Sequence, residues 1–398
     1  RQDIQVHFIP LERTPDLMRV LNDAAMTSRE ACGNVVRNTC ASPLAGVQTG
    51  EAFDVTPYGF ALSQFLLRHP DGQSLGRKFK ITLSGSFDPA FNLGQIHDLG
   101  ITAVERDGER GFHVLVGGGL GAVPHEAQVL YEFLPVQELL PVSLAVLRLF
   151  GRHGEKKNRA RARLKFVVAK FGIAAFRQLV DEERAGLPDD PAWKLTIENF
   201  WADRPIVDAG HSEAVPRDED DATWLRTNVF AHPTAGYVNV RVRVPRGDLS
   251  PEQLRRLAQL VRAEVGDTTR IGWDQSLFIR SVSTSRLWTL RDGLVALGLG
   301  DAQSGSIADP VTCPGSDTCK LGITSPRSAA RRFQETLNRI VSKDTRLAPL
   351  RVHISGCPNS CAQHQIADIG LFGAAKTKGG HTSPHFVLLL GGRPGGAA

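Results

Sequence analysis

Alternation of apolar and polar residues predicts several strands along this chain, and some of them run into glycine turns. Residues 3–9 ("DIQVHFI") alternate in this way, and so do residues 237–244 ("YVNVRVRV"), so both stretches are predicted to be strands. The second of them precedes a helix that should begin after Ser250, with Pro251 in its first turn. Two longer apolar runs, "FHVLV" and "HFVLLL", are followed by "GGGLG" and "GGRPG", and they predict buried strands.

A long segment of the chain occurs twice. Residues 77–101 ("RKFKITLSGSFDPAFNLGQIHDLGI") resemble residues 348–372 ("APLRVHISGCPNSCAQHQIADIGLF"). Both read as a strand, a Ser-Gly turn, a polar stretch and a helix-like segment that ends near Asp-(Leu/Ile)-Gly. The two glycine-terminated strands noted above follow the two copies at similar distances, which extends the repeat.

A shorter segment is also repeated. Residues 2–21 resemble residues 273–294, and this alignment places Phe8 on Phe278. The second copy follows a strand and a helix that the first copy lacks. We therefore expect a strand and a helix to be missing before Arg1, and a final helix to be missing after the last glycine turn.

The two repeats alternate along the chain, and this order predicts an α+β protein made of two similar halves related by a pseudo-twofold axis. Residues 1–28 and 229–303 are predicted to be half-domains that pair into one small domain. Residues 29–201 and 304–398 are predicted to be mixed α/β domains that face each other. A polar stretch, 202–228, is predicted to be the linker between the halves. A ligand site is expected between the two larger domains, because domain interfaces favour such sites.

Composition excludes two broad functions. The chain has 398 residues and a net charge of +5, and 7% of its residues are aromatic. The charge excess is too diffuse and the aromatic content too low to predict nucleic-acid binding. No apolar run reaches the roughly 18 residues of a membrane span, so no membrane association is predicted.

Four of the six cysteines lie close together in the last quarter of the chain. They form a C-x5-C pair, "CPGSDTC", and a C-x3-C pair, "CPNSC", and they are Cys313, Cys319, Cys357 and Cys361. A structural zinc site usually has shorter gaps, and so few cysteines do not make a disulfide framework. An iron–sulfur cluster accepts varied spacings and is the favoured interpretation. The first copy of the repeat, "SGSFDPAF", has no cysteine. Cys32 and Cys40 are predicted to be free, buried thiols.

The cysteine segments "TCPGSDTCKLG" and "HISGCPNSCAQHQIADIG" together resemble the siroheme-containing nitrite and sulfite reductases. The segments "RQDIQVHFI", "CGNVVRN", "RKFKITLSG", "VGGGLG" and "HGEKKNRARARLKF" resemble the bacterial ferredoxin-type members of that family, and the resemblance covers nearly the whole chain. It implies paired ferredoxin-like half-domains and two siroheme-binding domains, of which 304–398 also binds a [4Fe–4S] cluster. It implies that the four cysteines hold the cluster and that Cys361 is also the axial ligand of the siroheme iron.

The resemblance also implies the residues of the active site. The residues that it implies for anion binding are Arg37, Lys78, Lys80 and Arg1. Lys78 and Lys80 are two positions apart on a predicted strand, so their side chains leave the same face. The residues that it implies for the siroheme pocket are Asn359, Arg29, Asn34, Asn38, Gly117, Gly118 and Gly119. "KKNRARARLK" is predicted to be a basic helix that lines this pocket or docks an acidic ferredoxin.

The expected reaction is the six-electron reduction of sulfite to sulfide, because Lys80 favours a dianion over a monoanion. Reduction of nitrite to ammonia at the same site is the alternative. Two more distant alternatives are a precorrin-3B synthase-like enzyme and a binding module stabilised by a metal on the four cysteines. Reduced ferredoxin, or a flavoprotein reductase, is the expected electron donor, and the expected location is the cytoplasm.

Overall fold

The computed structural model describes residues 2–188, 190, 213–266 and 269–392, which form three β-sheets with helices packed against them. None of the helices within these residues combines the length and the apolar content that a membrane span requires. Two small apolar clusters join the halves of the chain. In one of them Phe91 packs against Phe278, and in the other Ile96 packs against Ile366.

The first sheet has five strands in the order β1-β2-β3-β4-β5. Its strands are β1 (Val36–Ala41), β2 (Phe79–Ser84), β3 (Leu99–Arg106), β4 (Glu109–Val116) and β5 (Gln128–Pro135). The β1–β2 and β2–β3 pairs are parallel, and the β3–β4 and β4–β5 pairs are antiparallel. The helices of this half are α2 (Thr56–Leu66), α3 (Leu139–His153), α4 (Leu164–Phe171) and α5 (Ile173–Ala185), and they share one apolar core with the sheet. A helix that is apolar nearly all round, as α3 is, belongs in a core.

The second large sheet repeats this topology. Its strands are β10 (Val311–Thr312), β11 (Val352–Ser355), β12 (Ile369–Lys378) and β13 (His381–Leu390), in that order. Again the first three are parallel and the last is antiparallel. Helix α9 (Pro326–Lys343) follows the first cysteine loop, and its N-cap Ser325 accepts the backbone N–H of Ser328.

The third sheet belongs to the half-domain predicted at 229–303. Its strand order is β6-β7-β9-β8, and all of its pairs are antiparallel. The strands are β6 (Val229–Ala231), β7 (Tyr237–Val242), β8 (Thr269–Ile271) and β9 (Leu277–Ser283), and the helices are α7 (Pro251–Glu264) and α8 (Leu287–Ala296). The predicted start of α7 is confirmed, because Ser250 and Gln253 form a capping box around Pro251.

Equivalent hydrogen bonds in the two halves confirm the duplication. The backbone N–H of Lys80 donates to the Asp98 carboxylate at 2.9 Å, and that of Arg351 donates to Asp368 at 2.8 Å. The backbone carbonyl of each aspartate accepts the N–H of the glycine that follows the last strand of its repeat, at 3.0 and 2.9 Å. These two aspartates are the Asp of the repeated Asp-(Leu/Ile)-Gly signature, so the signature marks a backbone contact that both halves of the chain make.

A glutamine caps the edge strand of each large sheet in the same way. The Gln2 amide bonds the carbonyl and the N–H of Ala41, at 2.8 and 3.2 Å. The Gln275 amide bonds the same two groups of Thr312, at 2.6 and 3.0 Å. Each glutamine therefore satisfies backbone groups that would otherwise be left at the sheet edge.

The register of the shorter repeat differs from the sequence alignment. The left-handed residues of its two copies are Gln2 and Phe8 in the first and Gln275 and Ser281 in the second. Phe8 is thus equivalent to Ser281, and the alignment of Phe8 with Phe278 was wrong by three residues. The sequence alignment matched identical apolar residues of the two copies. The register of the copies is set by their backbone conformation, which the identity of single residues does not reveal.

The strand predicted at residues 3–9 is not formed. The equivalent β9 lies between β7 and β8, whereas no strand in the described part of the chain pairs with residues 3–9. Phe8 is consequently 87% exposed. Helix α1 (Thr14–Asp23) follows this segment. Alternation alone cannot make a strand, because its backbone groups need a hydrogen-bonded neighbour.

The linker predicted at 202–228 ends in a helix. Residues 202–212 lie outside the described residues, but α6 (Glu219–Asn228) is well formed. The acidic run that resembled a linker supplies its N-cap, Asp218, and an acidic first turn, both of which favour a helix N-terminus. Trp224 of this helix is buried in the core of the following half-domain.

The helix predicted over "KKNRARARLK" was also wrong. The Glu155 carboxylate accepts the backbone N–H groups of Lys157 and Asn158, at 2.5 and 3.0 Å. The Asn158 side chain then accepts the N–H of Ala160 at 3.1 Å, and α4 begins only at Leu164. These side-chain bonds compete with helical ones, so most of the basic segment is an exposed loop.

Candidate active site

The four cysteines of the second half lie in two loops that follow neighbouring parallel strands. Cys313 follows β10 and Cys357 follows β11, so both loops leave the same edge of the sheet. The Gly356 N–H donates to Cys313 Sγ at 3.1 Å. Cys313 interacts electrostatically with Cys357 and Cys361, and Cys361 interacts with Cys319. The structure therefore brings all four thiols into one neighbourhood.

Burial and nearby charges affect the pKa values of two of these thiols. Burial raises the pKa of the Cys313 thiol. Burial also raises the pKa of Cys361, and the neighbouring ammonium groups of Lys78 and Lys80 oppose that shift. Cys357 is 8% exposed, whereas Cys361 is exposed to solvent by surface area, although the protein atoms around its sulfur desolvate it enough to raise its pKa. Cys361 is thus the cysteine that lies beside the two lysines.

The donor set fits a cluster better than a single ion. Among the described residues, no three His, Cys, Asp or Glu side chains converge closely enough to hold one metal ion. All six cysteines are free, so the disulfide alternative has no support. Four neighbouring thiols that do not converge on a single ion are compatible with the larger core of an iron–sulfur cluster, and their role as its ligands stays a prediction. Of the two remaining cysteines, Cys40 is buried as expected, but Cys32 is exposed, contrary to the prediction.

Polar side chains occupy three of the four matching positions in the first half. Ser42 corresponds to Cys313, because the N–H of each bonds the neighbouring strand, at Leu83 O and Ile354 O respectively. The Ser42 hydroxyl donates to Gln48 at 3.3 Å, and the Gln48 amide donates to Ser86 at 2.9 Å. These hydrogen bonds hold together in the first half the loops that carry cysteines in the second.

Glu51 belongs to the same loop and carries an unusual carboxyl. Burial raises its pKa from 4.5 to about 7, and this effect exceeds the opposing effect of backbone bonds from Gly46 and Gln48. A carboxyl whose pKa is raised on folding stabilises the fold fully below the unfolded pKa. That contribution is lost as the pH rises through the folded pKa.

We therefore expect Glu51→Gln to change the pH dependence of stability. Between pH 4.5 and pH 7 the wild type should lose on the order of 3 kcal/mol of unfolding free energy that the variant keeps. Urea unfolding at pH 5 and pH 8 measures this difference. Glu335→Gln, on the exposed face of α9, is the control. An equal difference between Glu51→Gln and wild type at both pH values would contradict the prediction.

The predicted anion-binding lysines lie next to the cysteine loop. Lys80 is in β2 and Lys78 directly precedes that strand. Burial lowers the pKa of Lys78, and so does the nearby Arg163, whereas Cys361 opposes the shift. Arg37 is close enough to contribute to the same shift, and its guanidinium donates to backbone carbonyls of the loop before β1. Arg1 lies outside the described residues.

A buried ion pair that the sequence did not reveal positions this strand. The Arg163 guanidinium binds both oxygens of Asp98, at 3.1 and 2.6 Å, and Asp98 is fully buried. The same carboxylate accepts the Lys80 N–H. The only sequence signal was that the Asp-(Leu/Ile)-Gly signature occurs twice. Asp98 therefore fixes the start of β2 and neutralises a guanidinium near Lys78.

The three glycines predicted to contact a cofactor are packed against their own chain. Gly117 has a φ of 85°, in the left-handed region that favours glycine. A Cβ on Gly118 would lie 2.4 Å from Gln95 O, and one on Gly119 would lie 3.0 Å from Arg163 Nη2. Close internal packing thus explains these glycines, and their contact with a cofactor stays a prediction.

The other residues predicted to line the siroheme pocket are dispersed, and most of them are exposed. Asn38 donates to Cys40 Sγ at 3.5 Å. Arg29, Asn34 and Asn359 are exposed, although Asn359 lies between two of the cysteines. Their roles stay predictions.

Comparison with known proteins gives consistent matches. The family model "Nitrite and sulphite reductase 4Fe-4S domain" matches residues 32–188 and 304–397. The model "Nitrite/Sulfite reductase ferredoxin-like half domain" matches residues 231–297. The duplicated architecture and the four-cysteine site therefore agree with these models.

Similar proteins extend over nearly the whole chain. A sulfite reductase [ferredoxin] from Mycobacterium tuberculosis is 32% identical over 403 residues, which are 99% of this chain and 67% of that protein. A ferredoxin–nitrite reductase from Synechococcus elongatus is 29% identical over 401 residues, 99% of this chain and 73% of that protein. The solved structure of M. tuberculosis NirA has a TM-score of 0.77 at 30% identity, covering 95% of this chain and 65% of that one. The chain thus spans about two thirds of the length of these proteins.

Proposed function

Since the chain belongs to the nitrite and sulfite reductase family, we propose that it reduces sulfite to sulfide in a six-electron reaction. Siroheme and a [4Fe–4S] cluster are the cofactors of this family. The observation that carries the proposal is the position of Cys361, a cluster cysteine, beside Lys78 and Lys80. Reduction of nitrite to ammonia at the same site is the alternative, since relatives of both kinds are similar to this chain.

Each group of residues has a role in this reaction. The residues that would hold the cluster are Cys313, Cys319, Cys357 and Cys361, and Cys361 would also bind the siroheme iron. When bound, the siroheme supplies the iron at which the anion is reduced, and the cluster supplies electrons to it. A nearby cation stabilises the thiolate, which is the form of cysteine that binds metal, and Lys78 and Lys80 are the cations near Cys361.

Arg37, Lys78 and Lys80 bind the anion. A cation about 4 Å from an anion contributes about 4 kcal/mol at an effective dielectric constant of 20. Burial lowers the pKa of Lys78, which makes its ammonium a better acid for oxygens that leave as water. The Asp98 carboxylate accepts the backbone N–H of Lys80 and so fixes the backbone from which the Lys80 side chain extends.

We propose reduced ferredoxin as the electron donor, because the names of the relatives include it. A flavoprotein reductase is the other candidate. The exposed basic loop is the proposed docking surface for an acidic donor, and its residues are Lys156, Lys157, Arg159 and Arg161. Arg159 interacts electrostatically with Arg77, which is itself near Lys78, so this loop borders the site. Complementary charge would speed the encounter.

An absorption spectrum together with a turnover assay tests this function. Protein produced with siroheme supplied is expected to show the Soret band and the long-wavelength band of that cofactor, and to oxidise reduced viologen when sulfite is added. A colourless protein would refute the cofactor assignment. A coloured protein that turns over nitrite much faster than sulfite would favour the alternative substrate.

We expect Lys80→Asn to reduce sulfite turnover more than nitrite turnover. Above neutral pH sulfite is mainly a dianion, and a dianion loses more from the removal of a cation than nitrite, a monoanion, does. Steady-state kcat/KM for both anions, with the same viologen donor, measures the difference. An equal loss for both would remove the reason for preferring sulfite.

A further inference from the structure

A turn of the first half is held by a buried lysine. Lys165 is 3% exposed, and its ammonium donates to the carbonyls of Gly119 and Leu120, both at 3.2 Å, and to that of Val123. Two backbone bonds between Gly119 and His125, each 2.9 Å long, close the same turn. We call residues 119–125 the glycine turn. It is fixed within its own half at several points.

One glutamine of the second half binds this turn. Gln365 is 7% exposed, and its Nε2 donates to Gly121 O at 2.8 Å. Its Oε1 accepts the hydroxyl of Ser360. A single side chain therefore connects the glycine turn to the loop that carries the last two cysteines.

That loop has a backbone that needs support. Ser360, directly before Cys361, has a φ of 58°, and Gln363, two residues after Cys361, has a φ of 60°. Non-glycine residues in this region are strained and persist only where their surroundings hold them. The contacts that hold them include the Ser360–Gln365 bond and a bond from Ala362 N–H to Ser355 Oγ at 3.3 Å.

We propose that Gln365 is a positioning residue for Cys361. Gln365 sets the orientation of the loop that carries Cys361 and, through that loop, the reduction potential of the cluster. The proposal rests on the proposed function, since it requires a cluster on the four cysteines. Gln365 acts through Ser360 and does not itself touch the reacting atoms. It also ties Cys361 to the half of the molecule that carries Lys78 and Lys80.

The expected direction follows from the hydrogen bonds. The Ser360 hydroxyl is committed to Gln365 and donates away from Cys361. Without that acceptor, the hydroxyl can donate to sulfur and water can enter beside it. Hydrogen bonds to the sulfurs and solvent exposure both set the potential of an iron–sulfur cluster, and here both changes favour the reduced, more negative state.

Gln365→Met tests the proposal, because methionine keeps the length of the side chain and removes both hydrogen bonds. The experiment is a redox titration of the loaded enzyme, followed by the electron paramagnetic resonance of the reduced cluster. At a fixed applied potential we expect about a tenfold higher ratio of reduced to oxidised cluster than in wild type, which is 59 mV for a one-electron couple. Iron per chain and KM for the anion should stay unchanged.

Gln334→Met is the matched control. Gln334 lies on α9 and also donates an amide N–H to a backbone carbonyl, that of Ala308 at 2.7 Å, in the same half but outside the cysteine loop. Its potential should equal that of wild type. A Gln365→Met enzyme with wild-type iron content and an unshifted potential would overturn the proposal.

Ser360→Gly provides a second, independent variant. Glycine adopts the positive φ without strain, so the change removes the hydroxymethyl side chain without straining the backbone. We expect a change in potential in this variant, and we expect the double variant with Gln365→Met to shift by less than the sum of the single shifts. Full additivity would show that the two residues act separately and would overturn the proposal. An unshifted potential in Ser360→Gly alone would also overturn it, and that measurement does not depend on how well Gln365→Met loads. If wild type itself shows no cluster signal, the proposed function fails, and this inference fails with it.

Discussion

Replacement of Cys361 by serine is expected to abolish turnover of both sulfite and nitrite and to alter the spectra of both cofactors. Cys361 is the cysteine beside Lys78 and Lys80, and it reaches the open side of the site. A serine hydroxyl is a much poorer ligand than a thiolate, so the cluster would lose one of its four proposed ligands and the siroheme iron would lose the sulfur proposed to bind it. Absorption spectra, iron per chain and viologen-linked turnover measure the three effects.

Two other cysteine variants separate the roles that this prediction combines. Cys357→Ser should also lose the cluster, but it retains the thiolate assigned to the siroheme iron, so the siroheme bands should stay nearer to those of wild type. Cys32→Ser, at an exposed cysteine outside the site, should change nothing. A Cys361→Ser protein with wild-type bands and iron content would show that Cys361 does not bridge the two cofactors.

The sequence predicted that the four cysteines lie close together, because local signals determine the position of their loops. Each cysteine pair follows a short strand and has a proline directly after its first cysteine, and the two strands are parallel neighbours. Loops after parallel neighbours leave the same sheet edge, so four residues that are distant in sequence must meet. The repeat supplied the second signal, because the first half keeps the Ser-Gly turn and has Ser86 where the second half has Cys357.

Sequence reasoning failed where hydrogen bonds that the hydrophobic pattern does not reveal decide the outcome. Alternation in residues 3–9 predicted a strand, but a strand exists only if another strand accepts its hydrogen bonds. The basic run after Glu155 looked helical, but the Glu155 and Asn158 side chains capture the backbone N–H groups. The Asp98–Arg163 pair spans two elements, and neither residue differs locally from an ordinary surface charge.

The two halves contribute different chemistry on the same scaffold. The first half supplies cations from β1 and from the start of β2, and three of its four positions equivalent to the cysteines form the hydrogen-bonded network Ser42–Gln48–Ser86. The second half supplies four thiols from the matching loops. A site of this kind, at the junction of two similar domains, can be asymmetric in function because only the loop residues differ.

The second large effect is expected for Lys78→Met, which should lower kcat/KM for sulfite by about 10³-fold. Loss of one cation–anion contact of about 4 kcal/mol corresponds to three factors of ten in rate. The methionine keeps the apolar stem of the side chain, so the site should stay packed and both cofactors should remain bound. Steady-state kinetics and the absorption spectrum of the same preparation measure the two outcomes.

Lys78→Arg distinguishes binding of the anion from delivery of protons. A guanidinium keeps the charge, but it is a far weaker acid than an ammonium whose pKa burial has lowered. KM should therefore stay near that of wild type while kcat falls. Lys376→Met, on the exposed β12–β13 hairpin, is the control and should leave both constants unchanged. If Lys78→Met kept kcat/KM within a factor of two of wild type, Lys78 would not bind the substrate, and its proximity to Cys361 would have to serve the siroheme carboxylates instead.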